Sequence, residues 1–453
     1  MSSRTFTFTV EAPSGAPSWF ASQTVKTWAA IPGANTVNDA HAGQSTPFSG
    51  ATNTGICDAW NGAIADQVRG EYGFFGNGGH GDYRGNEAYA IKIRSELPRW
   101  FRLLNRSPES AVSPVWNGGA STNNTPAGQG ENPGAWAAMY ADGRMRSVHG
   151  WYTPQYHNGR VWYPMQSSAS GGSGNSGHHA WSFDRSYPGL ASAYGQTPLA
   201  WSNDAGPWKW LGNSSNGDRG TSTPAPVTNI TPACATALDP VTGLIWTLWG
   251  DQGNWASRFG SLNTSTEAIQ TASFPVGGYQ QPANFGAVVY DPAWDGVNES
   301  TCRWRFFVAV SSSPAVLMVC NLKAANPFAS AAWSFHSISS TVQQAGLGAV
   351  YHPPSRSILA ACPVANQTGN LIKIRVPTNG DGTYNSAGSW AVSPVTSGGV
   401  NPGAGLTVGI GGGRTFGKLK MIDDMGNGQS ALVYCGSVTG STYVYKLPTT
   451  EIT

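Results

Sequence analysis

Carboxylates come first among the residues that could do chemistry, because two of them flanking a glycosidic bond can break it. Glu71 and Glu87 flank one loop, Asn77 to Asn86, and Asp58 lies on a neighbouring strand-like run. Sequence spacing does not set the separation of these three groups, so no catalytic residue is assigned. Histidine is dense only at His80-Gly81-Asp82 and at His178-His179. A metal needs three or four convergent ligands, which neither cluster supplies. His80 with Asp82 reads as a loop-bracing hydrogen bond, and His178 and His179 precede a strand on which they alternate faces. Thr378-Asn379-Gly380-Asp381-Gly382 is too short for a calcium loop and lacks its closing Glu, so it reads as a turn. No phosphate loop or nucleophile elbow occurs. Neither a metal nor a cofactor is predicted.

Binding chemistry is more promising. Long loops run from Asn77 to Asn86, Arg106 to Arg144, Ser167 to His178, Ser202 to Pro232 and Asp251 to Leu262, and they hold many Trp, Asn and Arg residues. Aromatic rings cover the apolar faces of sugars, while planar polar side chains make paired hydrogen bonds. The residues assigned to ligand contact are Tyr83, Arg84, Trp116, Trp255 and Arg258.

Those loops need a frame, and composition narrows what it can be. The chain has 453 residues with 58 Gly, 30 Pro and 19 Trp, and only 11% of it is charged, against roughly 25% in ordinary soluble domains. A 40% hydrophobic content excludes general disorder. The net charge is +2 with no Lys/Arg-rich run, which gives no electrostatic support to a nucleic-acid or anionic-membrane partner. No apolar run reaches the roughly 18 residues of a membrane helix. The alternating start, Thr5-Phe6-Thr7-Phe8-Thr9-Val10, reads as a strand and not as a signal peptide. The six Cys are far apart and mostly in strand-like runs, so they are expected to stay reduced as core fillers.

Helical periodicity is almost absent, and short apolar runs bounded by Gly, Pro, Asn and Ser recur in units of about 45–65 residues. Copy one runs from Ile56-Cys57 through Tyr72-Gly73-Phe74-Phe75-Gly76 and Tyr89-Ala90-Ile91 to Trp100-Phe101. Five further copies follow. Trp201 or Trp208, then Phe274, Trp333 and Trp390 mark the ends of copies two to five, and copy six begins at Leu406 to Ile410. That sixth copy lacks its Trp strand, whereas Val25 to Pro32 supplies a spare one carrying Trp28. A ring of four-stranded blades must join its ends or leave sheet edges open. The prediction is an all-β, six-bladed β-propeller spanning residues 25–453, with 25–32 completing the last blade and 1–24 forming an arm.

The order of apolar run, Gly78-Gly79, Tyr89 and Trp100 resembles the kelch repeat, strongly in copy one and weakly in the later copies. The resemblance implies a kelch-like propeller and says nothing of activity. The low charge, the Gly/Ser/Asn/Trp-rich surface and the alternating arm lead to an expected function: a non-enzymatic bacteriophage virion surface protein, in the tail, fibre or head decoration. It would be made in the host cytoplasm, recognise a host-surface glycan or attach structurally, and use the arm to meet other virion proteins or further copies of itself. The alternative is a polysaccharide-acting hydrolase or lyase with its site on the long-loop face of blades 1–3.

Overall fold

In the computed structural model the described residues are 15–44, 53–57, 61–76, 83, 85–112, 140, 142–145, 147, 150, 152–166, 179–200, 205–213, 234–250, 256–279, 285–290, 302–312, 314–338, 346–361, 370–404 and 415–452. They form six four-stranded antiparallel blades, with short helical turns between them. After a one-turn helix α1 (Ser18–Ala21), β1 (Thr27–Ala30) and α2 (Val37–His41), blade one is β2 (Ile64–Asp66), β3 (Glu71–Phe75), β4 (Ala88–Lys92) and β5 (Trp100–Leu104). Blade two is β6 (Gln155–His157), β7 (Arg160–Gln166), β8 (His179–Asp184) and β9 (Trp208–Asn213). Blade three is β10 (Cys234–Asp239), β11 (Leu244–Gly250), β12 (Ala256–Asn263) and β13 (Ile269–Ser273). Blade four is β14 (Gly286–Tyr290), β15 (Arg305–Ser312), β16 (Ala315–Asn321) and β17 (Trp333–Ser337). Blade five is β18 (Gly348–His352), β19 (Ser357–Ala361), β20 (Leu371–Arg375) and β21 (Ala391–Val395).

Blade six combines an early strand with three late ones. Its strands β23 (Lys420–Ile422), β24 (Ala431–Cys435) and β25 (Thr442–Lys446) accept β1 as the fourth, with Trp28 opposite Tyr445. The propeller is therefore closed by its N-terminal strand. A two-residue strand, β22 (Gly398–Gly399), pairs parallel with the outer side of β1. Gly399 has φ +79°, and a Cβ there would collide with the Trp28 carbonyl, so this close approach requires glycine. Each inner strand touches the next, and β23 touches β2, which completes the ring.

Large aromatic residues cement the blades to one another. Trp28, Trp100, Trp208, Trp333 and Trp390 are all buried at or beside outer strands, and Phe274 follows β13 in blade three. Trp100 stacks on Phe74 with ring centroids 5.6 Å apart, and Phe274 meets Trp333 of the next blade edge-on at 4.9 Å. Buried ion pairs add fixed points. Glu71 of β3 pairs with Arg185 at the end of β8, and Asp239 of β10 with Arg305 of β15 at 3.3 Å. Cys57, Cys302, Cys320 and Cys435 are buried; the side chains of Cys234 and Cys362 lie outside the described residues.

Several boundaries differ from the sequence reading. The inner strands of blades one and six begin at Ile64 and Lys420, each later than the apolar run expected to form it, which started at Ile56 and Leu406. An inner strand borders the channel and needs few bulky residues, so hydrophobic runs are a poor guide to it. The loop expected from Asp251 to Leu262 is largely strand β12, where exposed Arg258 alternates with buried Phe259. Residues 15–24, expected in the arm, pack against the propeller. Phe20 is fully buried between blades one and six, and the Trp19 indole donates to the Ser95 carbonyl at 2.9 Å.

Candidate functional site

Six inner strands surround a channel, and small residues such as Ala65, Ala237, Gly286, Ala287 and Ala349 leave room along it for a cavity of about 470 Å³. Inner strands run toward the turn that leads into the second strand of their blade. That end of the channel is opposite the one at which the second strand of each blade leads into the third. Its rim includes Gln67 after β2, His157 ending β6, Tyr290 ending β14 and Asp423 after β23.

Asp423 is fixed by its backbone. Its N–H donates to Gln67 Oε1 at 2.9 Å, and Gln67 Nε2 donates to the Met421 carbonyl at 2.7 Å, which clamps blade one to blade six. Asp423 is an exposed residue at the mouth, but the protein around its carboxyl excludes most of the bulk water. This desolvation raises its pKa to about 6, against the opposing pull of the Arg94 guanidinium. Tyr290 faces the same group: burial first, and then the Asp423 charge, push its phenol up to about 12. Beside them Arg69 donates to Asp66 Oδ2 at 2.8 Å and to the Tyr156 hydroxyl at 3.2 Å. Asp66 also accepts from the backbone of Val68 and Arg69, so it is committed to the turn. Deeper in the channel, Lys420 donates to the Pro154 carbonyl at 3.4 Å, and burial lowers its pKa to about 8.

The arrangement offers a carboxyl that can carry a proton near neutral pH, at the mouth of a cavity walled by tyrosines and amides. Such a group can act as a general acid. Nothing in the sequence reading singled it out. One signal was present: Asp423-Asp424 is the only consecutive acidic pair in the chain.

The carboxylates considered from sequence do not converge. Glu71 is opposite Lys92 at one end of the β3–β4 hairpin, while Gly76 donates to the Glu87 carbonyl at the other. Five residues of strand separate them by roughly 15 Å or more, beyond the ~5–9.5 Å of paired glycosidase carboxylates. Asp58 lies outside the described residues. Glu87 is buried and accepts from the Tyr83 hydroxyl, and its carboxyl is pushed up by burial. His41 of α2 is 3.9 Å from Glu87 and hydrogen-bonds the Tyr89 hydroxyl at 2.7 Å. Burial, then Arg102 and Arg106, lower the His41 pKa to about 4. This network braces α2 against blade one.

Among the residues assigned to ligand contact, Tyr83 is 0% exposed and has no surface to offer. Arg258 is exposed on β12, and neither residue lines the cavity. Arg84, Trp116 and Trp255 lie outside the described residues, as do His80, Asp82 and His178. Asp381 accepts from Thr383 N at 2.9 Å and Thr383 Oγ1 at 2.6 Å, which closes that segment as a turn, and Arg303 donates to the Asp381 carbonyl at 3.1 Å. Among the described residues no three His, Cys, Asp or Glu side chains gather as a metal site.

No protein-family model matches the chain, and no curated protein matches it in sequence. Solved structures do resemble it. The protein YjhT is 11% identical, with a TM-score of 0.38 over 88% of this chain and 96% of its own. An exo-β-1,3-galactanase from Clostridium thermocellum is 10% identical, with a TM-score of 0.33 over 89% of this chain and 67% of its own. An endo-1,5-α-L-arabinanase from Thermotoga petrophila is 12% identical, with a TM-score of 0.29 over 86% of this chain and 82% of its own. The expectation of a non-enzymatic bacteriophage surface protein finds no support among these neighbours, two of which are named as glycan-cleaving enzymes, and it is not carried further. At such low identity the likeness reaches no further than the fold, and the chain's own residues must carry the function.

Proposed function

We propose that the protein cleaves a polysaccharide, as a hydrolase or a lyase, at the channel mouth where Asp423 lies. One observation carries this reading: Asp423 combines access to the cavity with a pKa raised to about 6 by its enclosure. In hydrolysis the carbon–oxygen bond to the departing sugar breaks as water adds its hydroxyl to the sugar carbon and releases its other proton to solvent; in elimination that bond breaks as the neighbouring carbon loses a proton to solvent and a carbon–carbon double bond forms. In both, the leaving oxygen takes up a proton. Asp423 is the group that gives it. The cavity of about 470 Å³ falls within the ~300–1,000 Å³ of small-ligand sites, which suits one or two sugar units. Tyr152, Tyr156 and Tyr290 line it and can cover the apolar face of a sugar ring. The kelch-like order of blade one belongs to this reading as scaffold only.

The site lies at the channel end opposite the one where second strands lead into third strands, so the proposal departs from the long-loop location expected for such an enzyme. The test is to incubate the full chain with a panel of neutral and acidic polysaccharides. New reducing ends without unsaturation mark hydrolysis, and unsaturated ends mark elimination. Asp423→Asn should lower turnover by roughly 100-fold or more, the usual contribution of a general acid. A panel left intact by the native protein, or full activity in Asp423→Asn, would overturn the proposal.

A further inference from the structure

Lys420 opens β23, and its ammonium reaches the carbonyl of Pro154, immediately before β6. Strands β23 and β6 are the neighbours of β2 on its two sides. To link them the Lys420 side chain must cross in front of β2, where Ile64 and Ala65 line the cavity. The ammonium is therefore in the lumen and not in the wall.

An ammonium has three donors, and the Pro154 carbonyl takes one of them at the long distance of 3.4 Å. Among the described residues no carboxylate pairs with Lys420. Asp66 is held by Arg69 and its own turn, and Glu71 by Arg185. Enclosure alone accounts for the lowered pKa of about 8, and at neutral pH the group is still mostly charged. A cation in a partly desolvated cavity is costly unless an opposite charge meets it. A neutral sugar in this space would leave that cost in place, whereas an acidic sugar would remove it.

We infer that the channel cavity is built for a sugar bearing an acid group, which pairs with the Lys420 ammonium while the ring lies against the channel tyrosines. The inference deepens the reading of the channel mouth as a polysaccharide site and names its substrate class as acidic glycans. A carboxylate and a sulfate ester would both satisfy Lys420, so the chemistry they share is what the site selects.

Binding, not cleavage, tests this. The full chain is titrated by calorimetry with glucuronate, glucose 6-sulfate and glucose, for the native protein and for Lys420→Met and Lys420→Arg. At least one acidic sugar should bind the native protein 10-fold or more tightly than glucose, and the tighter of the two identifies the acid group. Lys420→Met should abolish that preference while glucose affinity stays within about two-fold, and Lys420→Arg should keep part of it. Equal affinities for glucose and both acidic sugars in the native protein would overturn the inference. So would a preference that survives in Lys420→Met. If Lys420→Met fails to fold, the comparison in the native protein still decides. Acid-sugar binding without any cleavage would sink the enzymatic reading alone. Cleavage of neutral glycans only would sink this inference alone.

Discussion

The indole Nε1 of Trp100, in the outer strand of blade one, donates to Thr442 Oγ1 of blade six at 2.8 Å, across 342 positions of chain. Both groups are buried, so the bond seals the junction between the first and last blades in an environment where lost partners are expensive. Thr442→Val leaves the indole N–H without an acceptor and should cost about 1–3 kcal/mol. Pairing it with Trp100→Phe should cost less than the sum of the two single changes. Denaturant unfolding of the three variants measures the coupling.

Trp28 is 1% exposed, opposite Tyr445, with ring centroids 5.2 Å apart. Trp28→Ala should lower stability by roughly 3–5 kcal/mol and promote association through the loosened last blade. An unchanged melting temperature would be incompatible with ring closure by β1.

The Glu71–Arg185 pair is almost fully buried between blades one and two. Arg185→Met strands the carboxylate and should cost about 3–5 kcal/mol. Adding Glu71→Gln should restore part of that loss, because no charge then remains in the blade interface. Thermal melts of the single and double variants give the comparison.

Asp423 titrates at about 6, above its ordinary 3.8, so the folded chain holds a proton that the unfolded chain releases between those values. Its contribution to stability is complete below about pH 3.8 and is lost as pH rises through 6. Asp423→Asn should therefore melt higher than the native protein at pH 8, with the difference closing toward pH 4. Activity that needs the proton should fall above about pH 6 on the native profile, and that limb should vanish in the variant. Paired melting and rate profiles test both.

His41 and His352 are held neutral chiefly by burial, each with a pKa near 4. The unfolded chain takes up their protons first, so stability should fall as pH drops from about 6.5 to 4. Neither imidazole should titrate above pH 5 by NMR while the fold persists. Titration of either ring near 6.5 would show that its site is open to water.

The ring and its closure were legible because they rest on repetition: outer-strand Trp residues recur at blade spacing, and the missing sixth is supplied by Trp28. Blade count follows from such a pattern. The candidate site was not legible, because Lys420, Asp423, Gln67 and Tyr290 come from three blades and share no motif. Only the ring brings them to one channel. Glu71 and Glu87 illustrate the converse, since residues that flank one loop in sequence stand at opposite ends of the hairpin. Residues 15–24 were misjudged for a local reason. They were assigned to the arm, yet Pro17 starts the single turn of α1, and that turn delivers Phe20 into the core.

The pairing of Trp28 with Tyr445 sets a clock on biogenesis. At about 5–20 residues per second, a ribosome needs roughly 20–80 s after finishing β1 to deliver β25. Through that interval β1 has no sheet to join, and Trp28 has no pocket. The five earlier blades can assemble in chain order as they emerge, but the ring stays open until β25 has been made. Folding yield in cells should therefore depend on whatever shields one short aromatic strand while the rest of the chain is made.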